Sequence, residues 1–171
     1  MRSIDLASIS RLGIILIFAV LIGQGIKSIV KNYTSEPRPY VTQLEKSLPV
    51  DSGKFYVVTD SERAQMIDQY VQKTAEIPSW LESHWQAETG YSFPSGHTLF
   101  ASSWVFLVVL FIGFKRHSVI TTAVVGWGVV VETSRLALGM HYPADLIASN
   151  IFGCFIALLA YFCAKRWRII D

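Results

Sequence analysis

Three apolar runs constrain this chain more than any other feature. Leu12–Val30 covers 19 residues with a single charge at Lys27, Thr98–Phe114 covers 17 with none, and Leu146–Ala164 covers 19 with none. At about 1.5 Å per residue such helices approach the thickness of a hydrocarbon core of about 30 Å. A fourth run, Ser118–Val131, is apolar for 14 residues and then meets Glu132 and Arg135, so its helix carries charge into the outer part of a membrane. The expectation is one all-α integral membrane domain over residues 1–171. It has about four transmembrane helices near 12–30, 98–114, 118–138 and 146–164. Leu12–Val30 is longer than a secretory h-region and no small-residue cleavage site follows it, which favours a span over a signal peptide.

Composition excludes the other classes. With 51% hydrophobic residues and only two cysteines, the chain is neither disordered nor a disulfide scaffold, and Cys154 and Cys163 read as packing residues. A net charge of +2 without a basic stripe offers nothing to nucleic acid. Basic residues gather instead at three places: Arg2 and Arg11 before the first span, Lys115 and Arg116 between the second and third, and Lys165, Arg166 and Arg168 after the fourth. By the positive-inside rule these are cytoplasmic, which puts residues 31–97 and the turn Gly139–Pro143 on the opposite face.

The outer segment, about 40–91, reads as a small helical insert. Ser61 begins a stretch that places Met66, Ile67, Tyr70 and Val71 on one face and ends before Pro78. Ser79–Glu82 has the form of a capping box for a second helix carrying Trp80, Leu81 and Trp85, aromatics suited either to the lipid interface or to the insert's own core.

The unusual polar residues all fall at this outer level. Lys31 and Arg38 follow the first span, Pro94-Ser95-Gly96-His97 precedes the second, and Arg135, His141 and Asp145 bracket the turn between the third and fourth. A helix start exposes unpaired N–H groups, Ser95-Gly96 allows an anion close to that backbone, and arginine grips a phosphoryl group in a fork. Pro143 predicts a helix start with Asp145 in its first turn, where the carboxylate can hold one nitrogen of His141 and leave the other free to attack. Taken singly, Lys31 and Arg38 read as headgroup-binding residues, Lys27 as a snorkelling lysine, and Glu132 as a neutralising partner of Arg135 at i, i+3. Glu88 and Glu132 are secondary site candidates.

Lys31 stands six residues before Arg38-Pro39, followed by Pro94-Ser95-Gly96-His97, then Ser134-Arg135 with five residues before His141 and three more before Asp145. In order and spacing this resembles the three-part signature of the type 2 phosphatidic acid phosphatase superfamily. The surrounding text, including Gly23-Gln24-Gly25, Glu36-Pro37-Arg38-Pro39, Ser83-His84-Trp85-Gln86 and Leu138-Gly139-Met140-His141, is similar to its bacterial phosphatidylglycerophosphatase branch. The resemblance implies a metal- and cofactor-independent lipid phosphate phosphatase of the bacterial inner membrane with a periplasmic site. Its substrates would be phosphatidylglycerol phosphate, phosphatidic acid, diacylglycerol diphosphate or undecaprenyl diphosphate. By that resemblance His141 becomes phosphohistidine, Asp145 orients it, His97 protonates the leaving oxygen, and Lys31, Arg38, Ser95, Gly96 and Arg135 hold the phosphoryl oxygens. Members have six spans, two more than are read here, and the missing pair would lie N-terminal to Leu12. Two rival functions share the signature or the anion site. Vanadium haloperoxidases are soluble and fit four spans poorly, and a non-catalytic lipid-phosphate binder or transporter would have no use for an oriented nucleophile.

Overall fold

The structure, a computed structural model, describes residues 6–48, 52–74 and 77–169, and Arg2 lies outside them. The described residues form eight helices and no strand: α1 (Leu6–Thr34), α2 (Pro39–Ser47), α3 (Ser52–Val57), α4 (Asp60–Thr74), α5 (Ser79–Ala87), α6 (Gly96–Phe111), α7 (Phe114–Ala137) and α8 (Pro143–Arg166). The protein is thus an all-helical integral membrane protein, in which α1, α7 and α8 are long and apolar enough to cross a membrane. The run Thr98–Phe114 behaves differently from expectation. It is divided between α6, which stops at Phe111, and the start of α7. Gly113 adopts φ 71° and donates its N–H to the Val108 carbonyl, a helix-ending geometry that glycine takes without strain. The remaining 16 residues of α6 span about 24 Å, less than a full hydrocarbon core. Helix α7 then bends at His117.

Helix α6 packs most closely on α8 and α7, and α1 packs on α8. Lipid tails are as apolar as leucine, so burial cannot drive this association, and close approach with interhelical hydrogen bonds does so instead. Gly153 supplies the approach: a Cβ there would collide with the Ser102 side chain and stand 2.9 Å from the Ser103 nitrogen. Across the same contact the Ser102 hydroxyl donates to the Ser149 carbonyl at 3.3 Å, and the Ser149 hydroxyl donates to the Ser95 carbonyl at 3.0 Å. The second of these bonds ties α8 to the start of α6. Ile147, Ile151, Phe155 and Phe162 on the outer face of α8 are exposed, as lipid-facing residues are.

The insert has a core of a different kind, with Tyr40, Val41, Leu44, Phe55, Ile67 and Trp85 packed around Met140. Ile67 and Tyr70 are buried and Met66 and Val71 pack beside them, so the expected face of α4 is the one that turns inward. The helix starts at Asp60, one residue before the expected Ser61. Thr59 caps it, accepting the Glu62 N–H at 3.4 Å while the Glu62 carboxylate accepts the Thr59 N–H at 2.9 Å. The capping box expected at Ser79–Glu82 does not form. Pro78, in extended conformation, is the residue before α5, and its carbonyl takes the Leu81 and Glu82 N–H groups; Ser79 already lies inside the helix. Trp85 is buried and stacks on Tyr40 at 5.0 Å, whereas Trp80 is exposed.

This core fixes the turn between α7 and α8. Trp85 Nε1 donates to the Leu138 carbonyl at 2.9 Å, the Tyr40 N–H donates to the Gly139 carbonyl at 3.1 Å, and the Thr42 and Tyr142 hydroxyls meet at 3.0 Å. Gly139 has φ 64°, a conformation open to glycine at little cost, and Met140 is fully buried between these anchors. The next residue is His141.

Candidate active site

Local sequence sets each wall of the site. Pro37 and Pro39 hold Arg38 extended ahead of α2, with Pro39 at the first helical position where a missing N–H is harmless. Arg38 is almost fully buried: its Nε donates to the Gly90 carbonyl, and its Nη2 lies 3.2 Å from the Glu88 carboxylate. Nη1 is buried without a partner, leaving one arm of the fork open. Ser95 caps α6 as expected, accepting the Thr98 N–H at 3.3 Å, and it is enclosed. Its hydroxyl is therefore engaged in the cap, and from this block it is Gly96 and His97 that face the open space.

Pro143 begins α8 and Asp145 occupies its first turn, as the spacing predicts. Asp145 Oδ2 accepts the Tyr142 N–H at 2.9 Å and lies 3.1 Å from His141 Nδ1. That contact leaves Nε2 as the nitrogen without a carboxylate partner. Burial pushes the His141 imidazole below its ordinary pKa. The Asp145 hydrogen bond opposes this only in part, and the Arg38 and Lys31 charges add to it, so the ring is neutral at neutral pH.

Lys27, Lys31, Arg38, Glu88, Gly96, His97 and His141 line one cavity of about 570 Å³, which continues past Gln24, Phe100 and Trp127. Lys31 also donates to the Tyr91 carbonyl at 2.6 Å. Two of the three cations expected at the site, Lys31 and Arg38, thus line the same cavity as His141, and Lys27 joins them unexpectedly. It does not snorkel away: its side chain lies where a Cβ on Gly96 would meet it at 2.8 Å. Glu88 is the one acid among the lining residues. Its Oε1 lies 3.7 Å from His97 Nε2. Burial alone would raise its pKa, but Arg38 first, then His97, His84 and Arg135, hold the carboxyl below its ordinary value and keep it charged.

Arg135 stands beside this cavity without lining it. Its Nε turns to the Ser134 hydroxyl at 3.2 Å, and its charge acts on Glu88 and His97. The expected Glu132–Arg135 pair does not form among the described residues, because the guanidinium faces the site side of α7; Glu132 lies apart from the cavity. Three blocks distant in sequence therefore meet in a cation-rich cavity around a neutral, carboxylate-anchored histidine, and residues 12–169 match the PAP2 superfamily. The chain belongs to the PAP2 superfamily.

Within that superfamily it is 40% identical over 152 residues to phosphatidylglycerophosphatase B of Escherichia coli, an alignment covering 89% of this chain and 60% of the relative. Identity to the Haemophilus influenzae protein of the same name is 33% over 164 residues, covering 92% and 68%. Similarity also extends to the lipid A 4'-phosphatase of Bacteroides thetaiotaomicron, at 39% over 80 residues, covering 45% and 33%. The chain spans about three-fifths of the length of the E. coli relative.

Sequence reasoning passed over two PAP2-site neighbours. One is Lys27, less than one turn after Gln24–Gly25, which read as a snorkelling lysine. The other is Ser92, a buried hydroxyl that donates to Asp145 Oδ2. Its signal was proximity alone, two residues before Pro94.

Proposed function

We propose that this protein is a metal-independent lipid phosphate phosphatase working through a phosphohistidine. The reading rests chiefly on one observation: a buried guanidinium with an unpartnered Nη1 shares a cavity with a histidine whose other nitrogen is held by a carboxylate. Leaving such a donor buried and unpaired costs on the order of 1–3 kcal/mol or more, which a phosphoryl oxygen would offset. In the first step His141 Nε2 attacks phosphorus, the bond from phosphorus to the lipid oxygen breaks, and the departing oxygen takes a proton from His97. In the second, water gives a proton to His97 and its oxygen attacks phosphorus, a phosphorus–oxygen bond forming as the phosphorus–nitrogen bond breaks, which releases phosphate and neutral His141. Asp145 stabilises the positive charge that develops on His141. Lys31, Arg38, the Gly96 and His97 N–H groups and, from the rim, Arg135 balance the phosphoryl charge that a metal would otherwise balance. Ser95 contributes by holding that helix start, and Glu88 keeps Arg38 and His97 in place.

The substrate class is a lipid phosphate or diphosphate, with phosphatidylglycerol phosphate, phosphatidic acid, diacylglycerol diphosphate and undecaprenyl diphosphate as candidates. We place the protein in the bacterial inner membrane, crossing it with α1, α6, α7 and α8, with the insert and the cavity on the periplasmic side. Release of inorganic phosphate from a panel of these lipids in detergent micelles tests the reading. Turnover should persist in chelator and be inhibited by orthovanadate, whose trigonal-bipyramidal adduct resembles the transferring group. Tight binding of the lipids with no phosphate released would favour a binding protein instead.

A further inference from the structure

Asp145 is the group on which the proposed nucleophile depends, and it does not hold its position alone. Its Oδ2 gathers three donors: the Tyr142 N–H, His141 Nδ1 and the hydroxyl of Ser92. Ser92 is fully enclosed, and its oxygen also lies 3.5 Å from His141 Nδ1. Its backbone is fixed independently, because its N–H donates to the Glu36 carbonyl at 2.8 Å, two residues before Arg38. Two residues before Ser92, the Gly90 carbonyl receives Arg38 Nε. The short segment 90–92 therefore touches both the phosphoryl-gripping arginine and the carboxylate behind the nucleophile.

A carboxylate turns easily about its last torsion. Two donors from its own helix start leave Asp145 free to tilt, and the third donor comes from 53 residues away in sequence. We infer that Ser92 is a positioning residue for phosphoryl transfer, locking Asp145 in the rotamer that grips His141 and coupling that grip to the segment that seats Arg38. The inference rests on the reading of His141 as nucleophile.

The electrostatic consequence has a definite sign. When the Ser92 hydroxyl is removed, the Tyr142 N–H still keeps Asp145 Oδ2 at His141, and the carboxylate, tilted but no longer sharing its charge with Ser92, becomes a stronger acceptor for the His141 proton and raises the proton affinity of the ring. The other charges facing His141 stay in place: Lys31 and Lys27 from α1, Arg38 ahead of α2, Glu88 after α5 and His97 on α6. Turnover that needs neutral His141 should then lose its acid side at a higher pH.

The test compares Ser92→Ala, Asp145→Ala and the double variant as full-length protein, using an activated aryl phosphate so that low rates can be read. Ser92→Ala should lower kcat/KM about tenfold, the size of one charge-assisted hydrogen bond, and move the acid limb of its pH profile upward. In the Asp145→Ala background the same substitution should change the rate less than about twofold, since the group it acts through is gone. An equal loss in both backgrounds, or a fall with no movement of the acid limb, would mean that Ser92 only fills space. Ser92→Cys keeps the volume with a weaker donor, and it should give a smaller shift of the same sign if Ser92→Ala does not purify as folded protein. His141→Ala, run alongside, separates the two levels. Turnover by that variant overturns the nucleophile itself, whereas an inert His141→Ala together with additive Ser92→Ala overturns only the role of Ser92.

Discussion

His141 is 3% exposed and the Asp145 carboxylate 2%, while across the cavity the side chains of His97 and Glu88 are 51% and 28% exposed. The closed wall stands on the insert: Met140 sits in its aromatic core, and Trp85 and Tyr40 hold the carbonyls of Leu138 and Gly139. The open wall is the first turn of α6, held by the Ser95 cap and by the Ser149 bond from α8. On the proposed reading of His141 as nucleophile and His97 as proton donor, the difference suits two kinds of chemistry. An attacking nitrogen must be fixed in line with one bond, since a small misplacement costs about 10²-fold. A group that protonates leaving oxygens on different lipids needs room instead.

The contrast can be broken most completely at His141. His141→Ala should show no turnover on any substrate and take up no label from a labelled lipid phosphate under alkaline quench, because no nucleophile remains. In the kcat/KM profile of the intact protein the acid limb should lie below the ordinary imidazole value of about 6.5, since burial holds the His141 pKa under that value and only the neutral ring attacks. An acid limb above pH 7 in the kcat/KM profile would contradict the closed wall. His97→Ala should lose about 10²–10⁴-fold on lipid substrates, and much less on an activated aryl phosphate whose oxygen needs little protonation. Equal losses on both would remove the acid role. Arg38→Lys should cost about 10²-fold in kcat, because a point charge cannot replace a fork with one arm on Glu88 and another open to the substrate.

Trp85→Ala sharpens the comparison from a distance. It empties a buried aromatic site and frees the Leu138 carbonyl, so the insert should lose about 3–5 kcal/mol of stability, read as a lower unfolding midpoint. Activity should fall about tenfold through the His141 turn, and the loss should be the same for activated and unactivated leaving groups, which distinguishes it from damage to the His97 wall. Glu132→Gln should change the rate less than about twofold, since Glu132 neither pairs with Arg135 nor lines the cavity. A large loss there would restore it as a site residue.

Features set by neighbours a few residues apart were legible in the amino-acid order. The apolar runs determined α1, α7 and α8, Ser95 capped α6, and Pro143 placed Asp145 one helical turn from His141, because helix length, caps and i, i+4 contacts follow from local spacing. Where local rules competed, the sequence alone could not choose. Ser79 had the residues of a cap, yet the extended Pro78 took that position, and Glu132 stood at pairing distance from Arg135, yet the guanidinium turned to Ser134. The cavity itself depended on chain segments meeting across about 50 residues, where no periodicity applies. Packing of the insert core against the α7–α8 turn brought Glu88 and Ser92 to the histidines, and packing of α1 on α6 and α8 brought Lys27. Such contacts arise from burying one particular set of side chains together, and that set exists only once the helices have docked.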